Sequence, residues 1–205
     1  MKAERLWRFL TRRHARRRKR HARVSRDTIS VKAHISQRSG DADARETVGH
    51  WEADLVICRR SRPVLVLHER KTRITLMSRL AGKTAAETIA AMMATLRRLD
   101  PNMRGSVTFD NDTCFARHML LRGMLSATTY FCDAYASWQK GGVENANGRI
   151  RRWLPRGTDL DKISEQDIQE IAMTLNLTPR KCLAYRSPVE AFLSELGRDL
   201  EIRFA

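Results

Sequence analysis

Two apolar-rich runs with β-branched members, Trp51 to Cys58 (WEADLVIC) and Pro63 to Leu67 (PVLVL), flank the short polar stretch Arg59–Arg62 and predict a hairpin. Thr72 to Met77 (TRITLM) alternates polar and apolar residues with period two, which adds a third strand. Thr84 and Glu87 form a capping box, after which Ile89, Met93, Leu96 and Leu99 recur at helical spacing until Pro101. That pattern predicts a helix over about 84–99. Ser106–Phe109 (SVTF) and Thr128–Cys132 (TTYFC) read as strands, with a helix over 114–122 between them that ends at Gly123. After Gly141-Gly142, the residues Val143, Ala146, Ile150 and Trp153 share one helical face before Pro155. Ser164 and Asp167 cap a helix with the apolar stripe Ile168, Ile171, Ala172 and Leu175. Ser187-Pro188-Val189-Glu190 starts a last helix, with Gly197 as its stop. The order β-β-β-α-β-α-β-α followed by helices predicts an α/β fold.

Charge divides the chain into zones. Lys and Arg number 39 against 23 Asp and Glu, a net charge of +16, and such a field draws a polyanion before any specific contact forms. Residues 1–26 hold twelve of the basic side chains and only Glu4 as an acid. Residues 1–26 therefore read as a basic disordered arm, 27–47 as a polar linker without periodic signal, and 48–205 as the folded core. An arginine-rich, acid-poor start is also a feature of organellar transit peptides, but Ser25 is the only serine in that stretch. No apolar run has the length of a signal sequence or a membrane span, which predicts a cytoplasmic, nucleoid-associated protein without a membrane partner. Cys58, Cys114, Cys132 and Cys182 have no metal-ligand spacing and read as reduced, mostly buried thiols.

Three acids carry the candidate chemistry. Asp54 sits inside an apolar strand, where a carboxylate is costly unless paired, protonated or metal-bound; an edge strand facing water is the alternative. Glu52 shares its face, as a second acid or a strand-end surface residue. Asp110 follows Phe109 at a strand's carboxyl end, where α/β sheets form ligand crevices, although Asp-Asn is also ordinary turn chemistry. Glu144 lies in the first turn of a helix, where the macrodipole alone favours an acid. Together the three supply hard oxygen ligands from three elements, a set able to hold two Mg²⁺ ions, or Mn²⁺. Two such ions can activate a water or 3′-hydroxyl and stabilise the leaving oxygen of a phosphodiester. No small-molecule cofactor is implied.

The stretches GHWEADLV (49–56), ERKTRIT (69–75), TFDNDTCFA (108–116), FCDAYASWQKGGVENANGRIRRWLPRGTDL (131–160) and LNLTPRKCLAYRSPVEAF (175–192) resemble the catalytic region of insertion-sequence transposases of the IS-thirty family. The resemblance implies a retroviral-integrase-like, ribonuclease H-like core with a mixed five-stranded sheet, and it places the family's catalytic triad on Asp54, Asp110 and Glu144. It further implies DNA cleavage and strand transfer, and homo-oligomers on DNA. Trp138, Gln139 and Lys140 before the last acid, and Arg149, Arg151 and Arg152 after it, are candidate DNA contacts; a packing tryptophan and a solvated basic helix face are the alternatives. The chain departs from the family's Asp-Asn-Gly-x-Glu pattern at Asp112 and Cys114, and has Ala53 where glycine is frequent. If position 112 requires positive φ, aspartate there costs roughly 1 kcal/mol or more. Residues 1–47 leave no room for the family's helix-turn-helix, so the chain reads as a C-terminal, truncated part. A non-catalytic basic DNA-binding protein, or an inactive remnant, is the competing reading.

Overall fold

The computed structural model describes residues 29, 31–59, 62–134 and 136–199; the basic arm at 1–26 lies outside them. Six strands form one mixed sheet: β1 (Ala33–His34), β2 (His50–Ile57), β3 (Pro63–Glu69), β4 (Thr75–Arg79), β5 (Ser106–Phe109) and β6 (Thr128–Phe131). Their order is β1-β6-β5-β2-β3-β4. The first three strands of the folded core are the antiparallel meander β2-β3-β4, while β5, β6 and β1 add in parallel on the other side of β2.

The sheet therefore has one strand more than its sequence pattern predicts. The extra strand, and the short helix α1 (Gly40–Ala44), come from residues that read as linker. They are held to the core by polar contacts: Arg38 donates to Thr108 Oγ1 at 3.0 Å, and the Arg70 Nε donates to the carbonyl of Ala42 at 2.8 Å. A two-residue strand and a five-residue helix are too short to carry a period, which is why this segment looks featureless.

Helices cover both faces. On one, α2 (Ala85–Leu96) and α3 (Met119–Leu125) bury Ile89, Met92, Leu96 and Leu121 against Trp51, Leu65, Leu67, Phe109 and Phe131. On the other, α4 (Gly141–Ile150) and α5 (Glu165–Leu177) pack Val143, Ile150, Ile168 and Leu175 onto Val56, Val64, Val66 and Met77. The interior strand β3, between β2 and β4, is buried along its whole length, hence its unbroken apolar run. The last helix, α6 (Pro188–Asp199), adds Phe192 to the first cluster.

Local signals hold at the helix starts. Thr84 accepts from the Glu87 amide, and Ser164 and Asp167 make a reciprocal capping box. Stops are less faithful. Helix α3 runs through Gly123 and reverses at Ser126, which takes φ 57°, and α6 continues past Gly197. The third strand starts at Thr75 rather than Thr72, because the Thr72 amide and hydroxyl close a turn onto Glu69 at 2.6 and 2.7 Å. Trp153 lies beyond α4 and is exposed, so it does not share the helix's buried face. Cys58, Cys114 and Cys132 are buried free thiols and Cys182 is exposed. Among the described residues no helix is long and apolar enough to cross a membrane.

Candidate active site

Register brings the two aspartates together. In the parallel β2–β5 ladder Glu52 pairs with Thr108, so two residues further on Asp54 lies alongside Asp110, just where β5 ends and leaves that edge of β2 open. β2 is flanked by β3 along its length but by β5 only over His50–Glu52, so Asp54 lies at a locally open edge that faces the crevice. Helix α4 crosses this opening. Asp54, Asp110 and Glu144 all line one cavity of about 380 Å³, with Asn111, Cys132, Asp133 and Lys140.

Glu52 sets the position of α4. Fully buried, it is ion-paired with Arg70, and its other oxygen accepts from the Val143 amide at 2.8 Å, satisfying a free donor of the helix's first turn. Gly142 makes this approach possible, since a Cβ there would stand 2.7 Å from Glu52 Oε2 and 3.0 Å from His68 Cδ2. Glu52 is thus neither a surface residue nor part of the crevice.

The crevice has its own cation. The Lys140 ammonium is 4% exposed, donates to the Ala53 carbonyl at 3.1 Å, and lies 3.6 Å from Asp54 and 3.2 Å from Asp110. The second Asp54 oxygen accepts from Asn147 Nδ2 at 2.6 Å, and Asp110 accepts from the Asp112 amide at 3.1 Å. Burial raises the Asp54 carboxyl above its usual range, opposed by Lys140 and reinforced by Asp110. Burial alone would lower Lys140, but the two aspartates hold its ammonium above its usual value.

Among the described residues, no three His, Cys, Asp or Glu side chains lie close enough to form a metal-binding group. The donor chemistry nevertheless fits a divalent cation: Asp54 and Asp110 are hard oxygen ligands already converging on a positive charge, with Lys140 as the stand-in, and Glu144 lines the same cavity.

The flanking residues separate into groups. Trp138, 75% exposed, and Gln139 lie on the one-turn 3₁₀ segment Ser137–Lys140. Gln139 is engaged with Asp133, accepting from its amide and donating to its carboxylate, both at 2.8 Å. Arg151 bonds the carbonyls of Ile57 at 2.9 Å and Leu154 at 3.3 Å, tying the end of α4 to β2. Arg149 and Arg152 line other surfaces, away from the acids. Asp112 has φ −73°, so it carries no left-handed strain; it accepts from the Cys114 amide at 3.1 Å and pairs with Lys83. Burial raises the Cys114 thiol far above its usual value, leaving it protonated. Asn147 is within reach of sequence reasoning, lying three residues after Glu144 on one helix face. The crevice positions of Asn111 and Asp133 follow only from the parallel register of β5 and β6.

No family model matches the chain. It is 35% identical over 175 residues to the transposase InsI for insertion sequence element IS30A of Escherichia coli (strain K12), covering 84% of this chain and 46% of that protein. Identity to the transposase for insertion sequence element IS1086 of Cupriavidus metallidurans is 35% over 172 residues, or 83% of this chain and 50% of the relative. To the transposase for insertion sequence element IS4351 of Bacteroides fragilis it is 32% over 182 residues, 88% and 55% respectively. The chain spans about half the length of these curated relatives. The crystal structure of the catalytic core domain of BIV integrase superposes with a TM-score of 0.58 at 18% identity, covering 75% of this chain and 99% of that one. The fold is accordingly ribonuclease H-like, of the integrase catalytic core type, with β1 added at its edge.

Proposed function

We propose that this chain, which over the region it shares with them belongs to the IS30 family of insertion-sequence transposases, carries out metal-dependent cleavage and strand transfer at DNA phosphodiesters. The observation that supports this most directly is the convergence of Asp54 and Asp110 on one buried cation, in a cavity that Glu144 also lines. Asp54, Asp110 and Glu144 are the residues to hold Mg²⁺ or Mn²⁺, two ions in all. Bound there, the metal supplies Lewis acidity to activate a water or 3′-hydroxyl and to neutralise the leaving oxygen.

The chain's own groups do the positioning. Glu52 fixes the start of α4, which carries Glu144. Asn147 orients Asp54 through one oxygen, leaving the other facing Lys140. Lys140 offsets the charge of the two aspartates side by side and offers an ammonium to a phosphate oxygen once those acids are otherwise neutralised. Trp138, exposed two residues before Lys140, has an aromatic face for a base or sugar. DNA is the partner, homo-oligomers assemble on it, and the setting is the bacterial nucleoid.

The test is Asp54→Asn, Asp110→Asn and Glu144→Gln in the chain joined to a DNA-binding segment, assayed with Mg²⁺ or Mn²⁺ on oligonucleotides bearing the element's ends. Each substitution is expected to abolish cleavage and joining with the circular dichroism spectrum unchanged; parental activity in any of them rejects that residue's role. One observation favours a second reading, an inactive DNA-binding remnant: Lys140 already pairs with both aspartates of the crevice. Lys140→Met separates the two, since a metal site gains Mn²⁺ affinity when its internal cation is removed, and a closed structural ion pair shows no Mn²⁺ binding in either form.

A further inference from the structure

A second charged cavity, which Glu144 does not line, adjoins helix α4. It is about 210 Å³ in volume, and four arginines line it: Arg45, Arg73, Arg149 and Arg180, beside His68 and Gly142. They arrive from four places in the chain. Arg45 ends α1 with φ 62°, Arg73 sits in the β3–β4 turn with φ 65°, Arg149 is in the last turn of α4, and Arg180 follows α5.

This concentration of charge is only weakly offset: Glu52 acts on Arg45 without pairing with it, and Arg180 donates to the Leu175 carbonyl at 2.7 Å. Among the described residues none of the four forms an ion pair with a carboxylate. Glu52, the buried acid in contact with the start of α4, is committed to Arg70 and the Val143 amide. The Nε atoms of Arg73 and Arg180 are buried without a hydrogen-bond partner. His68 cannot compensate: burial and all four arginines push its imidazole down to about 3, so it is neutral. Burial and Arg73 lower Arg45, and burial and Arg149 lower Arg180. Guanidinium groups pressed together in this way are matched by a tetrahedral oxyanion, which accepts their forked donors bidentately.

We propose that this cavity seats a phosphate group, and that its source is the backbone of a DNA strand running along the outer face of α4. The second part rests on the transposase reading above. A polymer rather than a free anion is indicated by what adjoins the cavity: Arg149 and Arg180 also line a groove of about 360 Å³ that continues past Arg152 and Trp153. Both of those side chains are exposed, offering one more cation and an aromatic face beyond the phosphate seat. A phosphate held here bears on Arg149 and the Gly142 end of the helix that also carries Glu144, so the contact also sets the register of the strand against the site.

The test uses the whole chain and its Arg149→Gln, Arg180→Gln and double variants, with Arg97→Gln on the exposed side of α2 as control. Inorganic phosphate is titrated while melting temperature is followed, and binding to a duplex of about thirty base pairs is measured as a function of salt. Phosphate is expected to raise the parent's melting temperature by several degrees and to leave the double variant's unmoved; without phosphate at low salt the double variant melts no lower than the parent, because repulsion has been relieved. The slope of log K against log[salt] should flatten by about 0.9 for each phosphate no longer neutralised, and Arg97→Gln should leave it unchanged. A parent that binds DNA with a slope and phosphate response identical to the double variant's overturns the proposal. Loss of the phosphate response with an unchanged DNA slope overturns the DNA source and leaves a free-anion site. A parent that binds no duplex at all, while phosphate still acts through Arg149 and Arg180, fails the transposase reading and with it the DNA source, not the seat.

Discussion

Glu52 and Asp54 are two residues apart on one face of one strand, and their surroundings differ in kind. Glu52 is sealed: an ion pair to Arg70 and a helix amide engage both oxygens, and no part of it is exposed. Asp54 is open: it borders a cavity, and its cation is a lysine 3.6 Å away rather than a fixed guanidinium. A buried acid with both oxygens engaged is architecture, whereas one with a replaceable partner is available for chemistry. The same rule separates the two cavities that adjoin α4. In the crevice, opposite charges meet within the chain; in the second cavity, among the described residues, four arginines gather without an ion-paired carboxylate.

The largest expected effect tests that contrast directly. Glu52→Ala strands the buried Arg70 guanidinium and the Val143 amide together, a loss of about 3–5 kcal/mol in urea unfolding. Asp54→Asn should cost almost nothing at pH 7 and eliminate activity. The sign follows from the raised Asp54 carboxyl: the folded form holds its proton more tightly than the unfolded chain, so the group's contribution is present below the ordinary carboxylate range and is lost as pH rises through the folded value. Asparagine removes that dependence, so Asp54→Asn relative to parent should look better as pH rises from 4 towards 7. Equal losses for the two substitutions would erase the distinction between sealed and open acids.

A smaller effect sharpens the role of Gly142. Alanine there drives a methyl group against Glu52 Oε2 at 2.7 Å and His68 Cδ2 at 3.0 Å, and neither side chain is free to move, since Arg70 and Thr75 hold them. We expect a loss of about 1–3 kcal/mol, typical of overpacking. Gly141 has helical φ and ψ and nothing within 4 Å of its Cβ position, so Gly141→Ala should be neutral or stabilise by up to about 1 kcal/mol. Thermal melts of the pair decide whether the double glycine serves close approach at 142 alone.

Much of the fold is readable from sequence for a physical reason: period-two alternation and helix capping are local, and the meander, α2 and the capping box of α5 are built from them. Asp54 draws attention because a carboxylate among Val, Leu and Ile demands an explanation, whereas Asp110 and Glu144 stand at ordinary turn and helix-start positions and join it through the resemblance. What the pattern hides is non-local. Lys140 is an isolated cation before Gly141-Gly142, and only the fold shows its ammonium turned inward between Asp54 and Asp110. Arg45, Arg73, Arg149 and Arg180 have no spacing in common, so their convergence belongs to the tertiary structure. Gly123 fails as a helix stop because Ser126 supplies the left-handed residue three positions later.

The smallest effect concerns Asp112, where the chain departs from the family's glycine. If that departure strained the loop beside Asp110, restoring glycine would stabilise the protein. The backbone argues the reverse. With φ −73° and ψ 136° the residue sits where any L side chain is comfortable, so glycine relieves nothing and adds conformational freedom to the unfolded chain. Aspartate also does two things glycine cannot: its carboxylate accepts from the Cys114 amide at 3.1 Å, capping the 3₁₀ turn Thr113–Phe115, and it pairs with Lys83. The cap is worth a few tenths of a kcal/mol against glycine. The ion pair is partly exposed, with 37% and 31% of the two side chains open to solvent, and contributes less than about 1 kcal/mol after screening. Asp112→Gly should therefore destabilise by about 1 kcal/mol or less, and Lys83→Met should account for the salt-sensitive part of it. A rise in melting temperature on introducing glycine would mean that position 112 carries strain, and that the loop holding Asp110 is less relaxed than the crevice's geometry implies.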